Sequence, residues 1–245
     1  MADSEHIVSS FDDDLNDLAQ KIAEMGGLAE QQLADSVAAL GRRDEELAQR
    51  VIAGDQRIDD LQHDVEDAAV QMIARRQPMA QDLREIVAAI HIANDLERVG
   101  DLAKNTAKRV FAIEGNFAPQ STVTGVEHIS EMSLAQLKNV LDAYSTRNLE
   151  SAHQVWVRDD EIDAMYTSLF RELLTYMMED PRNITFCTHL LFCAKNIERI
   201  GDHATNIAET VHYLITGVPL TDERPKKDTT SVTPVAYAGP ADAEA

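Results

Sequence analysis

The chain has 245 residues, enough to bury a sizeable core as one domain or two small ones, and its 43 acidic and 22 basic residues give a formal net charge of −21. This charge opposes binding to nucleic-acid phosphates and to anionic lipid, so nucleic acid is not expected as a partner. No apolar run approaches the roughly 20 residues that a membrane-spanning helix requires, and the polar N-terminus lacks a signal-peptide pattern, so we expect a cytoplasmic protein without direct membrane insertion.

The first half of the chain predicts three long helices. Residues 1–10 are polar and are expected to form a flexible N-terminus. Apolar residues then recur with helical spacing, which predicts a first helix over about residues 11–40 and a second from its N-cap Asp44 to about residue 75. The turn RQPM at residues 76–79 leads into a third helix that ends near residue 114, so residues 11–114 are assigned to the first three-helix unit.

A linker and three more helices follow. Residues 115–125 contain Pro, Gly and small polar residues and are expected to form the linker. The second unit, residues 126–217, predicts helices over about residues 126–144, 148–178 and 183–215, with Asn148 as an N-cap and EDPRN as the second hairpin turn. Residues 218–245 are rich in Pro, Thr, Ala and charged side chains and are expected to be disordered.

The two units align with each other. Matched residues keep one offset through the first two helices of each unit and a slightly smaller offset after the hairpin turn, where deletions are tolerated. Because a whole register rarely repeats by chance, the sequence predicts an all-α fold that is a tandem duplication of a three-helix bundle, with six long helices and a disordered C-terminal tail. The matched residues include Leu28, Gln32, Leu33, Val37, Arg43, Val51, Asp55, Ile58 and Asp59, which pair with Met132, Gln136, Leu137, Leu141, Arg147, Val155, Asp159, Ile162 and Asp163.

An acidic segment occurs in the last helix of each unit, as ERVGDLAKN at residues 97–105 and as ERIGDHATN at residues 198–206. On a helical wheel its Glu, Asp and Asn lie opposite an apolar stripe that should face the core. Carboxylates four residues apart repel each other, so a cation should offset them. Arg98 and Arg199 each reduce part of this repulsion. If either segment is considered alone, a solvated acidic helix face is the simpler interpretation.

The second helix of each unit carries a further pair of aspartates. Asp59 and Glu97 are equally distant along the chain from the hairpin residue Pro78, and so are Asp55 and Asp101. If the two helices pack antiparallel across that short turn, the four carboxylates meet at two levels. The second unit has nearly the same spacing about its own hairpin proline.

Four converging carboxylates favour a cation between them. Ligands that are all oxygen suit Mg²⁺, Ca²⁺, Mn²⁺ or iron, in contrast to the Cys and His ligands of structural zinc. We therefore predict two sites for divalent or iron-type metal ions, one per unit, on the outer face of the bundle. The predicted metal ligands are Asp55, Asp59, Glu97 and Asp101 in the first unit, and Asp159, Asp163, Glu198 and Asp202 in the second.

Glycines interrupt both acidic segments. Gly100 and Gly201 each cost about 1 kcal/mol relative to Ala in a helix, so we expect them to allow close packing of a neighbouring helix. The sequence has no nucleophile–base signature, no Gly-rich phosphate loop and none of the Glu-x-x-His pairs of di-iron oxidases. We therefore expect a protein without enzymatic activity.

Four segments of the chain together carry a family likeness. They are GDQRIDDL, RQPMAQDLREIVAAIHIANDLERVGDLAKNTAKR, RDDEIDAM and LFCAKNIERIGDHATNIAETVHYLITG. They resemble the PhoU family of bacterial phosphate-signalling proteins over about residues 11–217. The resemblance implies a six-helix protein of two three-helix bundles, usually a homodimer. It also implies metal binding, since some members carry iron clusters or other metals on acidic motifs that match all eight ligands named above.

The resemblance further implies a negative regulator of the phosphate-starvation response and of high-affinity phosphate uptake. Such a protein would act as an adaptor between the ATPase subunit of the phosphate ABC transporter and a phosphate-sensing histidine kinase. Two alternatives stay open: a metal-dependent phosphohydrolase that uses the metal as a Lewis acid, and an accessory protein of another phosphate permease.

Overall fold

The computed structural model describes residues 2–113 and 120–221, and these ranges contain seven α-helices and no strand. The all-α tandem arrangement is therefore confirmed. None of the described helices is both long and apolar enough to cross a bilayer. The helices are α1 (Ala2–Arg42), α2 (Glu45–Arg76), α3 (Gln81–Val110), α4 (Gln120–Thr146), α5 (Leu149–Val157), α6 (Asp159–Glu179) and α7 (Ile184–Thr216).

Side-chain caps fix the starts of α2 and α5. Asp44 and Asn148 each accept a hydrogen bond from the backbone N–H three residues later, at 2.9 Å and 3.1 Å, so both predicted N-caps are confirmed. The residues before them, Arg43 and Arg147, adopt left-handed backbone with φ of 55° and 53°. The duplication thus extends to the conformation of the turn between the first and second helices of each unit.

The helix bounds differ from the predicted ones in four places, one of which is the end of α3 at Val110 and not near residue 114. Helix α1 begins at Ala2, so residues 2–10 are helical, and α4 begins at Gln120, inside the predicted linker. Residues 114–119 of the linker region and the predicted tail from residue 222 onward lie outside the described residues. The single helix expected over 148–178 is divided at Arg158, whose φ of −85° and ψ of 2° leave the helical range. The backbone carbonyl of Arg158 accepts hydrogen bonds from Gln136 Nε2 on α4 and from the backbone N–H of Glu161, three residues later.

The two units pack against each other through α1 with α4 and α3 with α7. Helices α3 and α7 run antiparallel, since Asp95 Oδ1 is 2.8 Å from His203 Nδ1 and Arg109 Nη1 is 3.3 Å from His189 Nδ1. Buried apolar residues of both units form one continuous core. The predicted apolar stripes of α3 and α7 lie in it, with only Ile215 half-buried.

Candidate functional site

The first acidic cluster lies between α2 and α3 and consists of Asp55, Asp59, Glu97 and Asp101. Asp55 is 4% exposed, and the other three are half-buried. Burial raises the pKa of Glu97, Arg98 lowers it, and repulsion from Asp101, Asp59 and Asp55 raises it further. The structure thus brings Asp55, Asp59 and Asp101 close enough to Glu97 to raise its pKa.

A cation from the chain itself lies within this cluster. Lys104 Nζ donates hydrogen bonds to Asp55 on the neighbouring helix and to Asp101 one turn earlier on its own helix. Burial raises the pKa of Asp55, and the bond from Lys104 opposes that rise. Burial also lowers the pKa of Lys104, but the bonds to Asp101 and Asp55 outweigh it and raise this pKa above its ordinary value. Lys104 therefore stays positively charged at neutral pH.

Gly100 lets α2 approach α3 at the level of the cluster. A Cβ at this position would lie 3.0 Å from Ile58 Cδ1, 3.2 Å from Asp55 Oδ1 and 3.4 Å from Gln32 Oε1. The expectation of close helix packing is therefore confirmed. Gln32 Oε1, which comes from α1, is buried and accepts no hydrogen bond within the described part of the chain. It adds a buried oxygen with unused lone pairs beside Asp55.

We expect Gly100→Val to lower the free energy of unfolding by about 2 kcal/mol, because the added side chain would push against buried atoms of α1 and α2. Gly27 on α1 offers a matched control, since it is exposed and a Cβ there would meet no atom within 4 Å. Gly27→Val should stay within about 0.5 kcal/mol of the parent. Urea unfolding followed by circular dichroism measures both, and equal losses would contradict a special role for the α2–α3 contact.

The second acidic cluster lies deeper than the first. Asp159, Asp163 and Glu198 are all buried, with Glu198 only 4% exposed, and Asp202 is half-buried. The prediction that the acidic residues lie on the outer face is therefore wrong for these three buried residues and for Asp55. Helices α2 and α6 pack against the acidic segments and bury these side chains. A helical wheel drawn for one helix does not show contacts with a neighbouring helix.

Burial dominates the electrostatics of Glu198. It raises the pKa of Glu198 to about 7, while the hydrogen bond from Lys195 Nζ, 2.8 Å long, opposes the rise and repulsion from Asp202 and Asp163 adds to it. The second oxygen, Glu198 Oε2, is buried and has no hydrogen-bond partner among the described residues. The carboxyl group is therefore close to its titration midpoint at neutral pH.

The two clusters differ at one matched position of the repeated segment. Lys104 of the first unit corresponds to Thr205 of the second, whose hydroxyl donates a 2.9 Å hydrogen bond to Asp159 Oδ1. Because Asp55 and Asp159 also match, an ammonium group makes in one unit the contact that a neutral hydroxyl makes in the other. Lys104 is not among the predicted site residues, although a signal existed: a lysine replaced by threonine within an otherwise repeated frame.

The donor chemistry of both clusters suits a hard or borderline metal ion. All the predicted ligands offer carboxylate oxygen. One of these oxygens, Glu198 Oε2, and the amide oxygen Gln32 Oε1 beside Asp55 are buried without hydrogen bonds among the described residues. With the side chains placed as they are, no group of three or more His, Cys, Asp or Glu side chains within residues 11–113 and 123–221 could hold a metal ion. Metal binding at either cluster would therefore require side chains to move.

Comparisons with known proteins show what the chain is similar to. The PhoU domain model matches residues 22–110 and 126–211. The phosphate-specific transport system accessory protein PhoU homolog of Rhizobium meliloti (strain 1021) is 62% identical over 226 residues, which cover 92% of this chain and 95% of the relative. Its counterpart in Caulobacter vibrioides (strain NA1000 / CB15N) is 53% identical over 93% of this chain and 99% of the relative.

Solved structures agree with the sequence relatives. The crystal structure of PhoU from Pseudomonas aeruginosa is 38% identical, has a TM-score of 0.82, and matches over 85% of this chain and 100% of that one. The phosphate transport system regulatory protein PhoU from Streptococcus pneumoniae has a TM-score of 0.79 at 28% identity, over 86% of this chain and 99% of that one. The chain therefore belongs to the PhoU family.

Proposed function

We propose that the protein is a negative regulator of the phosphate-starvation response and a modulator of high-affinity phosphate uptake. The observation that carries the proposal is the 62% identity, over 92% of the chain, to an accessory protein of the phosphate-specific transport system. In this proposal the protein is a cytoplasmic adaptor without catalytic activity. It contacts the ATPase subunit of the phosphate ABC transporter and a phosphate-sensing histidine kinase, and it forms a homodimer.

The surface of the molecule supports an adaptor role. A net charge of −21 on long helices favours basic partner surfaces, and such charge acts on association rate and specificity more than on affinity. Exposed apolar side chains lie in the first hairpin turn and just before the second, with Met79 78% exposed and Met178, in the last turn of α6, 85% exposed. A partner helix or loop that combines basic and apolar residues would complement these features.

Deleting the gene in phosphate-replete cells is expected to switch on alkaline phosphatase and other starvation outputs, because the kinase would lose its restraint. Expression of the intact chain should silence them again. Phosphate-starved cells are the control, since their outputs are already on and deletion should change them little. Outputs that stay silent after deletion in replete medium would contradict the regulatory role. A pull-down at high and low phosphate, with identification of the captured proteins, tests the two proposed partners.

We also propose that both clusters bind divalent or iron-type metal ions through the eight predicted carboxylates. Their all-oxygen chemistry and the buried unpaired oxygens beside them support this. When bound, the metal would neutralise the mutual repulsion of the carboxylates and hold α2 to α3 and α6 to α7. Carboxylate oxygens of Asp55, Asp59, Glu97 and Asp101 would hold the metal in the first unit.

Protein purified without chelator is expected to contain metal, as measured by inductively coupled plasma mass spectrometry. Glu97→Gln/Asp101→Asn should remove the metal that the first unit binds, because this variant lacks two of the four negatively charged ligands. Asp60→Asn/Asp64→Asn is a matched control on the exposed side of α2, with the same spacing and the same change in charge. Equal metal content in the parent and in the Glu97→Gln/Asp101→Asn variant would contradict the first site.

A further inference from the structure

We propose that Lys104 is a tethered cation that competes with a metal ion for the carboxylates of Asp55 and Asp101. The inference rests on the metal sites proposed above and assigns the residue that sets the metal affinity of the first cluster. It gives the first unit a competing cation at a position where the second unit has a threonine, although their sequences repeat.

The ammonium group of Lys104 lies between two of the predicted metal ligands. Its Nζ atom donates to Asp55 on α2 and to Asp101 on α3, and both are predicted ligands. A cation between two helices that neutralises one carboxylate from each performs the structural task expected of the metal. An incoming ion can therefore bind these two carboxylates only after the ammonium group has left them.

Lys104 is able to leave. Its side chain is half-buried and carries the charge at the end of a flexible four-carbon stem, so the ammonium group can move to water without a change in the helix. Arg98 uses other oxygens than Lys104 does, because it contacts Glu97 Oε2 at 3.3 Å and Asp101 Oδ2 at 3.6 Å, whereas Lys104 contacts Asp55 Oδ2 and Asp101 Oδ1. In the first cluster a metal ion would thus replace the ammonium group of Lys104, and the free energy needed to displace that group would reduce the metal affinity.

The matched position of the second unit has no charge to displace. Thr205 donates a hydroxyl hydrogen bond to Asp159, the counterpart of Asp55. Lys195, the lysine of the second cluster, instead comes from the preceding turn of α7 and bonds Glu198. Lys104→Thr therefore gives the first cluster the residue that the chain itself uses at this position in the second.

The size of the competition follows from occupancy. If Lys104 occupies its carboxylates for about 99% of the time, the apparent metal affinity of the first cluster is reduced about a hundredfold. Lys104→Thr should recover this factor. Lys108→Thr is the matched control, because Lys108 lies one turn further along α3, is exposed, and loses the same charge on substitution.

The test is a titration with Mn²⁺, with free Mn²⁺ counted by electron paramagnetic resonance. All proteins carry Glu198→Gln/Asp202→Asn, so that only the first cluster is counted, and circular dichroism checks that each is folded. We expect Lys104→Thr to bind Mn²⁺ about a hundredfold more tightly than its parent, and Lys108→Thr to stay within about twofold. If the threonine variant does not fold, Lys104→Gln, which keeps a hydrogen-bond donor without the charge, is titrated instead.

The outcomes separate this inference from the metal sites on which it rests. Equal binding in all three proteins, abolished by Asp55→Asn, would keep the first metal site and overturn the competition. An equal gain in Lys104→Thr and Lys108→Thr would also overturn it, because the effect would then be one of net charge. No binding in the parent and none in Lys104→Thr would overturn both the first metal site and the role of Lys104.

Discussion

Replacing Lys104 with methionine is expected to lower the free energy of unfolding of the metal-free protein by about 3 kcal/mol, because it leaves the buried carboxylate of Asp55 without its cation. Methionine keeps most of the apolar stem of lysine, so the loss reports the charge rather than the packing. Asp101 would also lose Lys104, but it keeps its contact with Arg98 and is half-buried, so water can replace the ammonium group there. Urea unfolding at neutral pH with EDTA present measures the change.

The double variant Lys104→Met/Asp55→Asn tests the cause of that loss. A neutral amide needs no counterion, so the second substitution should recover most of the stability that the first removes. Lys108→Met, which removes an exposed lysine on the same helix, should change the stability by less than about 0.5 kcal/mol. A double variant that is no more stable than Lys104→Met would mean that Lys104 acts through packing.

The stability of the metal-free protein is expected to fall as the pH rises, through the buried carboxyl group of Glu198. Its pKa is raised from 4.5 to about 7 in the folded protein, chiefly by burial. Between these values the folded protein keeps a proton that the unfolded chain has released, so each increase in pH favours unfolding. The contribution is fully present below pH 4.5, is lost as the pH passes the folded value of about 7, and amounts to about 3 kcal/mol.

Urea unfolding at pH 5 and pH 8 checks this expectation when the parent is compared with Glu198→Gln. The glutamine variant should lose most of the extra pH dependence, since it carries no titrating group at that position. Glu172→Gln, at an exposed position of α6, should keep the dependence of the parent. If Glu198→Gln and Glu172→Gln show the same pH dependence, the buried carboxyl group is not its source.

The features that the sequence predicted correctly depend on neighbours along the chain. Asp44 and Asn148 cap helices because their side chains reach backbone N–H groups three residues later, and such short-range signals are readable without a structure. The apolar stripes of α3 and α7 and the two hairpin turns are local in the same sense. Their repetition in both halves made the tandem fold predictable as well.

The features that the sequence did not predict depend on contacts between helices. At the break, the carbonyl of Arg158 accepts a hydrogen bond from Gln136, which lies on another helix. The residues around position 158 do not predict this contact. The depth of Glu198 and of the aspartates on α2 and α6 depends on how closely those helices cover the acidic segments. The spacing about Pro78 did predict which carboxylates meet, but it contained no information about the lysine that lies between them.

The junction of the two units has a consequence for any shortened form of the protein. Helices α3 and α7 bury each other's flanks, and α1 does the same with α4, so a cut at the linker would expose apolar side chains of both fragments to water. Neither fragment is then a complete domain, and each is expected to aggregate or to re-associate with the other when both are produced. The intact molecule should accordingly lose its structure in a single cooperative step, despite the twofold repetition written in its sequence.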